Sequence, residues 1–414
     1  MNRRLLQRQR DFFNAISAVM AMLCVTTALA GLPAQAQTFT VLHNFSGGAD
    51  GKYPQTTLTL DRGGNLYGTT NRGGLDYGTI FRLTNRGSGW VFNSLYTFRG
   101  SSDGADPFSP LLFGPDGALY GTTQGGGQNG DGTVFVARPQ ATFCANVSCP
   151  WTETVLYSFT GGEDSFAPQG HLIFDEAGNL YGTTAGFSIA GKRPPQGGYQ
   201  GAVWELVHAN GAWTIKVLYG FYPDGGPYEP EGGVTFDHAG NLYGTTVFGG
   251  EYNDGTVFEL SPSGSGWTEQ LVHTFDSSSI FPQAGLIADE AGNMYGATFG
   301  GSYAFEVSPL GNGWSFNNIS LISTGDGPFS DLTLDSQGNL YGANYTGGQY
   351  GQGNIFKLTN SGGVWTLTDL YDFTGGSDGD APVGGVVLDA NGNIYGTASE
   401  GGTSGWGTVW KLTP

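Results

Sequence analysis

The feature that most constrains the fold is a tyrosine that recurs seven times, each time with a proline 13 residues before it. The surrounding phrase GNLYGTT stands unchanged at 64–70, 178–184 and 240–246. Repetition at such a period is typical of architectures whose units bury their apolar faces against each other. The tyrosines are Tyr67, Tyr120, Tyr181, Tyr243, Tyr295, Tyr341 and Tyr395. The prolines are Pro54, Pro107, Pro168, Pro230, Pro282, Pro328 and Pro382.

Each repeat predicts four short strands separated by the turn-forming residues Gly, Asn, Asp and Ser. In the first repeat we expect strands over 54–61, over the LYGTT stretch, over 78–83 and over 90–98. Seven such units predict an all-β fold, a seven-bladed β-propeller with four strands per blade. An aspartate ends the first strand in all repeats but the second, which has Gly114. These residues are Asp61, Asp175, Asp237, Asp289, Asp335 and Asp389.

The two ends of the repeat array complement each other. The last unit stops at Pro414, after its third strand, whereas the segment 38–45 fits the pattern of a fourth strand with His43 in the tyrosine place. We therefore expect this N-terminal strand to complete the seventh blade and close the ring. Closure removes the exposed sheet edges that promote aggregation.

The first 36 residues differ from the rest. A start with four arginines precedes an apolar run and the small-x-small site Ala34-Gln35-Ala36. This order is typical of a secretory signal peptide, so we predict cleavage before Gln37 and a single propeller domain over 37–414. The protein is then secreted, either to the periplasm or to the medium.

The amino-acid composition excludes some classes of binding partner. The net charge is −19 and only 12% of residues are charged. Nucleic-acid binding needs a basic footprint, and attraction to an anionic membrane surface needs basic clusters, so we expect neither partner. No stretch after the signal peptide is long and apolar enough to span a bilayer. We expect a monomer.

The repeat phrase carries a resemblance. The order D-x-x-G-N-L-Y-G-T-T, then GG, then G-T-V-F-x-L resembles the Gloeo-Verruco tandem repeat of extracytoplasmic bacterial proteins, over essentially all of 38–414. The resemblance implies export and often a C-terminal sorting anchor, which the end at 411–414 does not show. It carries over no catalytic residue. More distantly, D-x-x-G-N is similar to turns of sugar-lactone hydrolases and antibiotic lyases, an analogy of fold alone.

Two repeats contain insertions. The second holds Cys144 and Cys149, which predict a disulfide in an exported protein; a metal site would need a second ligand pair. The third holds the run 191–195, Gly-Lys-Arg-Pro-Pro.

The repeated residues themselves favour packing over ligand contact. We expect the tyrosines and the tryptophans that begin the fourth strands to pack between blades. The glycine after each tyrosine should leave room for an aromatic ring of the next blade. The Asp-x-x-Gly-Asn stretch favours a turn, since calcium loops need more oxygen ligands close in sequence.

Residues that break the repeat are better functional candidates. Three places after the proline, where other repeats have small residues, stand His171 and Asp331, and Glu231 follows Pro230. Together they could provide a general acid or base, although hydrated polar residues are common in propeller channels.

A second candidate site is a ring of carboxylates in the loops between blades. It could bind a cation such as calcium, through oxygen ligands, or form a solvated acidic rim. We assign no other cofactor. The residues are Asp50, Asp103, Asp164, Asp224, Asp326 and Asp378.

The sequence favours a secreted, non-catalytic propeller that binds a polysaccharide or a surface protein through its channel-mouth loops. One alternative is a hydrolase or lyase acting on a sugar or lactone, with its site in the channel. The other alternative is a structural protein of the cell envelope.

Overall fold

The computed structural model describes residues 37–140, 151–186, 199–222, 226–276, 280–311, 313–323 and 325–414. The predicted signal peptide, the two cysteines of the second repeat, the insertion at 191–195 and Asp224 lie outside these ranges. Within them, residues Phe39–Thr413 belong to one compact unit.

The strands form seven antiparallel sheets, so the chain is a seven-bladed β-propeller as the repeats predict. Blade one contains β2 (Thr59–Leu60), β3 (Leu66–Thr70), β4 (Thr79–Asn85) and β5 (Trp90–Thr97). Blade two contains β6 (Ala105–Pro107), β7 (Leu112–Phe113), β8 (Leu119–Gly125), β9 (Thr133–Pro139) and β10 (Trp151–Ser158). Blade three contains β11 (Ile173–Phe174), β12 (Leu180–Thr184), β13 (Ala202–Ala209) and β14 (Ala212–Gly220).

The remaining blades repeat this plan. Blade four contains β15 (Thr235–Phe236), β16 (Leu242–Thr246), β17 (Thr256–Ser263) and β18 (Gly266–Thr274). Blade five contains β19 (Ile287–Ala288), β20 (Met294–Ala297), β21 (Tyr303–Leu310) and β22 (Gly313–Leu321), with a 3-10 turn over Gly300–Ser302. Blade six contains β23 (Thr333–Leu334), β24 (Leu340–Asn344), β25 (Asn354–Ser361) and β26 (Val364–Asp372). No helix in the described part of the chain is long and apolar enough to cross a membrane.

Blade seven joins both ends of the repeat array. It contains β1 (Thr38–Asn44), β27 (Val387–Leu388), β28 (Ile394–Ala398) and β29 (Thr408–Thr413), in the order β1-β29-β28-β27. The predicted closure by the N-terminal strand is confirmed. Phe45, which follows β1, is fully buried, and its N–H donates to Gly407 O (3.1 Å).

The innermost strands are shorter than predicted. Only two residues of each pair regularly with the second strand, for example Thr59–Leu60 where the sequence suggested 54–61. Between the proline and these two paired residues, backbone carbonyl groups accept hydrogen bonds from the neighbouring blade. Thr183 Oγ1 of blade three donates to Gly232 O of blade four (2.9 Å), and Thr397 Oγ1 of blade seven to Thr56 O of blade one (3.2 Å). The threonines of LYGTT thereby bond adjacent blades.

The tyrosines and tryptophans pack between blades, as expected. Tyr67 of blade one contacts Phe113 and Trp151 of blade two, at ring-centroid distances of 5.3 and 6.3 Å. Tyr243 of blade four meets Trp314 of blade five at 5.1 Å in the same way. Each such buried aromatic contact adds roughly 0.5–1.5 kcal/mol beyond the area it buries.

The expected role of the glycine after each tyrosine is wrong in one respect, because the ring that fills its space belongs to the same blade. Gly68 pairs directly with Phe81 on β4, and a Cβ on Gly68 would lie 2.6 Å from Phe81 Cζ. It would also lie 2.9 Å from Leu58 Cδ2. The third strand faces the second across the ladder, so its aromatic residue is nearer than any residue of the next blade.

We expect Gly68→Ala to destabilise the protein by about 1–3 kcal/mol, since overpacking a buried contact forces its neighbours aside. Gly266→Ala is the control, because no heavy atom lies within 4 Å of its Cβ position. Both changes restrict the unfolded chain equally. Urea denaturation of the two variants measures the difference. Equal midpoints would show that the space beside Phe81 does not require glycine.

The D-x-x-G-N stretch is a turn held by its own side chains. Asp61 Oδ1 accepts the N–H groups of Gly63 (2.8 Å) and Asn65 (2.9 Å), while Oδ2 accepts Asn65 Nδ2 (2.7 Å) and the Tyr67 hydroxyl (3.2 Å). Blade two lacks this aspartate and uses Asp116 instead, which accepts the hydroxyl of Tyr120 (3.2 Å). The carboxylate is thus part of the turn in both cases.

Candidate functional site

The central channel contains a pocket enclosed by the chain segments that follow the prolines. Its empty space, including the part open to solvent, is about 480 Å³. Six of the seven blades contribute to it, and they do so with the first three residues after their prolines. The lining residues are Gln55, Thr56, Thr57, Phe108, Pro110, Gln169, Gly170, His171, Glu231, Gly232, Gly233, Gln283, Phe329, Ser330 and Asp331.

The structure brings all three repeat-breaking candidates into this pocket. His171 of blade three reaches across the channel, and its Nδ1 lies 2.6 Å from Oδ2 of Asp331 in blade six. His171 Nε2 donates to Val234 O of blade four (3.0 Å), and Asp331 Oδ1 accepts the N–H of Gly285 in blade five (2.6 Å). The pair therefore spans four blades and is anchored at both ends.

Glycine in the two intervening blades makes this crossing possible. A Cβ on Gly233 would lie 2.5 Å from His171 Cγ, and one on Gly285 would lie 2.9 Å from His171 Cε1. Any other residue at these positions would collide with the imidazole ring. The position of the His171 ring therefore depends on glycine at both places.

The electrostatics of the pair favour an ion pair. Burial by itself disfavours the imidazolium, but the charge of Asp331 and its hydrogen bond outweigh burial and raise the pKa of His171. Burial likewise works against the Asp331 carboxylate, but the charge of His171, a hydrogen bond from it and the Gly285 N–H lower the pKa of Asp331 overall. The two side chains are 18% and 26% exposed, since the pocket opens to solvent while protein surrounds them. With both imidazole nitrogens engaged, His171 is poorly placed to act as a general base.

Glu231 has a different environment. Burial first, and the charge of nearby Glu229 second, raise the pKa of Glu231 to about 7, against hydrogen bonds with Gln169 and Gln283 that lower it. Gln124 Nε2 donates to Gln169 Oε1 (2.5 Å), so amides and carboxyl form a connected network around the mouth. Burial also raises the pKa of Glu229 to about 7. Such perturbed carboxyl groups cluster at functional sites more often than elsewhere.

The predicted carboxylate ring occupies turns between blades. Asp164 accepts the hydroxyl of Tyr157 (2.8 Å) and the N–H of Thr160 (2.8 Å), and Asp378 accepts the hydroxyl of Tyr371 (2.9 Å). Asp50 accepts Ser46 N–H (2.8 Å) and lies 3.2 Å from His43 Nε2. These hydrogen bonds stabilise the loops.

Asp103 and Asp326 also form hydrogen bonds in the loops between blades. Asp103 accepts the hydroxyl of Tyr96 (2.7 Å), whereas the N–H of Asp326 donates to Thr346 Oγ1 (2.7 Å). Among the described residues, no three His, Cys, Asp or Glu side chains form a cluster suited to a metal ion. Calcium binding stays a prediction.

The residue before the proline, at the pocket mouth, adopts a left-handed backbone in six blades. This conformation is uncommon outside glycine, and here its N–H is bonded to the preceding blade, as from Glu229 to Gln200 O (2.9 Å). The remaining blade, blade six, has Gly327 at this place. The six residues, with their φ angles, are Tyr53 (57°), Asp106 (57°), Ala167 (56°), Glu229 (58°), Phe281 (44°) and Ala381 (52°).

Sequence reasoning missed several of these features. The glutamines Gln55, Gln169 and Gln283 and the rings of Phe108 and Phe329 all follow their prolines directly. These residues differ from one repeat to the next at the position directly after the proline, and that difference is visible in the sequence. The left-handed residues gave no such signal, since their types, Asp106 apart, do not favour that conformation.

The chain is a seven-bladed β-propeller with a pocket in its central channel. The family model described as Gloeobacter/Verrucomicrobia repeat matches residues 28–192, 149–308 and 270–414. The chain therefore belongs to this repeat family, and the resemblance seen in its sequence is confirmed. No protein of curated function matches it.

Solved structures share the fold at low sequence identity. Virginiamycin B lyase from Staphylococcus aureus is 14% identical with a TM-score of 0.57, covering 91% of this chain and 99% of its own. Polysaccharide lyase Uly1 is 11% identical with a TM-score of 0.53, covering 87% and 90%. A gluconolactonase from Xanthomonas campestris is 10% identical with a TM-score of 0.45, covering 91% and 89%. At such identities the likeness concerns the fold alone.

Proposed function

We propose that this protein is a secreted, non-catalytic binding module that takes a neutral saccharide in its channel pocket. The observation that carries the proposal is the amide and carboxyl network of Gln169, Glu231 and Gln283, beside the phenyl rings of Phe108 and Phe329. Amides and carboxyls hydrogen-bond vicinal hydroxyls, and aromatic faces pack on the apolar C–H face of a sugar ring. Pockets with apolar walls and a few convergent polar groups are typical ligand sites.

The negative charge of the protein favours a neutral ligand over an anionic one. The chain carries a net charge of −19, and Glu229 and Glu231 lie together at the mouth. An anionic ligand would be repelled from such a mouth, since like charges in a poorly solvated cleft are unfavourable. The basic and apolar segment 1–36 supports export, which would bring the pocket into contact with extracytoplasmic polysaccharides.

The first test is a screen of neutral polysaccharides and oligosaccharides against the protein that starts at Gln37, with Glu231→Gln as the variant. At pH 8 we expect this change to weaken binding about tenfold or more, because hydrogen bonds to a charged group contribute about 1.5–3 kcal/mol. Glu251→Gln is the control, an exposed glutamate of the same blade outside the pocket.

The same variant separates a binding role from a structural one. The pKa of Glu231 is raised to about 7 in the folded state, so its charge opposes folding as the pH rises from about 4.5 through 7. Glu231→Gln should therefore raise the melting temperature at pH 8 while weakening binding. A lower melting temperature together with unchanged binding would assign Glu231 to the structure and remove it from the site.

Catalysis on a saccharide is a second candidate, and the pKa of Glu231 near 7 favours it, because a general acid or base works best near the ambient pH. Chromatography of glycans incubated with wild type and with Glu231→Gln distinguishes the two functions. New products from the wild type alone would establish an enzyme, and unchanged glycans that still bind would support the binding module.

A further inference from the structure

The deep end of the pocket is closed by the ion pair. His171 and Asp331 meet 2.6 Å apart across the channel, and the imidazole lies over the backbone of Gly233 and Gly285. Beside them, the N–H of Gly385 donates to Thr57 Oγ1 (2.9 Å), which joins blades seven and one at the same level. Side chains and backbone groups of six blades thus converge on one layer.

The pocket wall ends at this layer. Every lining residue is one, two or three places after its proline, and none lies deeper along the innermost strand. Two places deeper the side chains bond to the adjacent blade: Thr235 Oγ1 donates to Leu286 O (2.5 Å) and Thr333 Oγ1 to Val386 O (2.5 Å). The ion pair therefore crosses the deep end of the pocket, an arrangement that favours a cup with one mouth and the ion pair as its floor.

A cup restricts how a polymer can bind. A saccharide chain that crossed the channel would need a second opening, which the floor denies it. We propose, resting on the saccharide-binding function above, that the pocket receives the terminal sugar unit of a chain, so that the protein recognises polysaccharide ends and short oligosaccharides rather than internal segments.

An aromatic cluster continues the pocket wall outward and gives the rest of the chain a path. Phe329 lines the pocket, and its ring lies 4.2 Å from that of Phe299 and 5.1 Å from that of Tyr345, between centroids. Phe299 and Tyr345 follow the second strands of blades five and six, at the pocket mouth, and are half-buried. The second sugar unit stacks on this cluster once the first occupies the cup.

The test compares whole and partially hydrolysed glucans at constant mass. Linear β-1,3-glucan, β-1,4-glucan and α-1,4-glucan serve as probes, each intact and cut to about one tenth of its mean length. End recognition predicts that the mass concentration for half-maximal binding falls about tenfold on cutting, in step with the number of ends. An unchanged or increased value for a glucan that binds would overturn the inference and leave the proposed function standing. Absence of binding by every saccharide in the wider screen would remove both.

Variants test the path of the second unit. Phe299→Ala and Tyr345→Ala should weaken binding of a disaccharide or longer oligosaccharide about threefold to tenfold, as expected for one lost aromatic contact, and leave monosaccharide affinity unchanged. Tyr350→Ala is the control, a 52% exposed tyrosine of blade six outside the cluster. If Phe299→Ala lowers the melting temperature, the milder Phe299→Leu replaces it in the binding measurement. Equal losses for monosaccharide and oligosaccharide would contradict the path.

Discussion

A chain that begins at Ser46, without β1 and Phe45, is expected not to form a stable monomer. The deletion leaves β29 as an open edge in blade seven, since β29 would lose its outer neighbour. It also removes aromatic contacts on both sides of that blade. Phe39 stacks on Tyr371 of blade six at 3.9 Å, and His43 stacks on Phe92 of blade one at 4.1 Å.

The expected loss of stability is comparable to the whole stability of a typical domain. Truncating one buried phenylalanine costs about 3–5 kcal/mol, and Phe45 is fully buried against Phe81. Removing two phenylalanines and seven residues of strand pairing therefore approaches the whole stability of about 5–15 kcal/mol of a typical domain. Exposed strand edges further promote aggregation.

Gel filtration and far-ultraviolet circular dichroism measure this outcome. Adding a synthetic peptide of residues 37–46 during refolding should restore the monomer, whereas a scrambled peptide of the same composition should not. A truncated chain that is monomeric and melts like the intact protein would contradict closure through β1.

Asp331→Asn is expected to destabilise the protein by on the order of 2–3 kcal/mol near pH 5.5. Breaking a fully buried ion pair typically costs about 3–5 kcal/mol because one charge is left without a partner, and the partial exposure of this pair places its loss at the lower end of that range or below it. His171 can release its proton, which reduces the loss. Asp76→Asn is the matched control, since its pair with Lys52 (3.0 Å) lies at the surface with the carboxylate 67% exposed, where such pairs contribute about 0–1 kcal/mol.

The loss of stability in Asp331→Asn should depend on pH in a specific way. The pKa of His171 is raised above 6.5, so its contribution is complete below pH 6.5 and disappears as the pH rises through the folded value. The pKa of Asp331 is lowered below 3.8, so its contribution is complete above pH 3.8 and disappears as the pH falls through the folded value. The stability difference between wild type and Asp331→Asn should therefore be largest between about pH 4 and pH 6.5.

Glu229 and Glu231 titrate in the same pocket in the wild type and in the variant. Their contribution to the pH dependence therefore cancels when the two free energies of unfolding are subtracted. Urea denaturation at several pH values gives the curve. A difference that does not change from pH 4 to pH 9 would mean that His171 and Asp331 do not form an ion pair.

The architecture could be predicted from the sequence because it depends on local repetition. Seven prolines and seven tyrosines at one spacing fixed the blade count, and the segment 38–45 indicated how the ring closes. The error about the glycine of GNLYGTT arose because spacing alone does not tell which strand faces it. Strand pairing places Phe81 opposite Gly68 within one blade.

The site could be predicted only in part. His171 and Asp331 stood out because they break the repeat, but their contact joins positions 160 residues apart and depends on the curvature of the whole ring. The network of Gln169, Glu231 and Gln283 likewise exists only where three blades converge. Residues that differ among otherwise equal repeats correctly indicated the candidate site. Which of them are in contact is shown only by the folded structure.

The proposed function requires that a saccharide occupies the channel pocket. The most direct measurement is a crystal structure of the protein from Gln37, grown with the neutral oligosaccharide that binds most tightly in the screen. We expect electron density for a terminal sugar ring among Gln169, Glu231 and Gln283, above the pair of His171 and Asp331. An empty pocket with the sugar bound on the outer strands of a blade would contradict it.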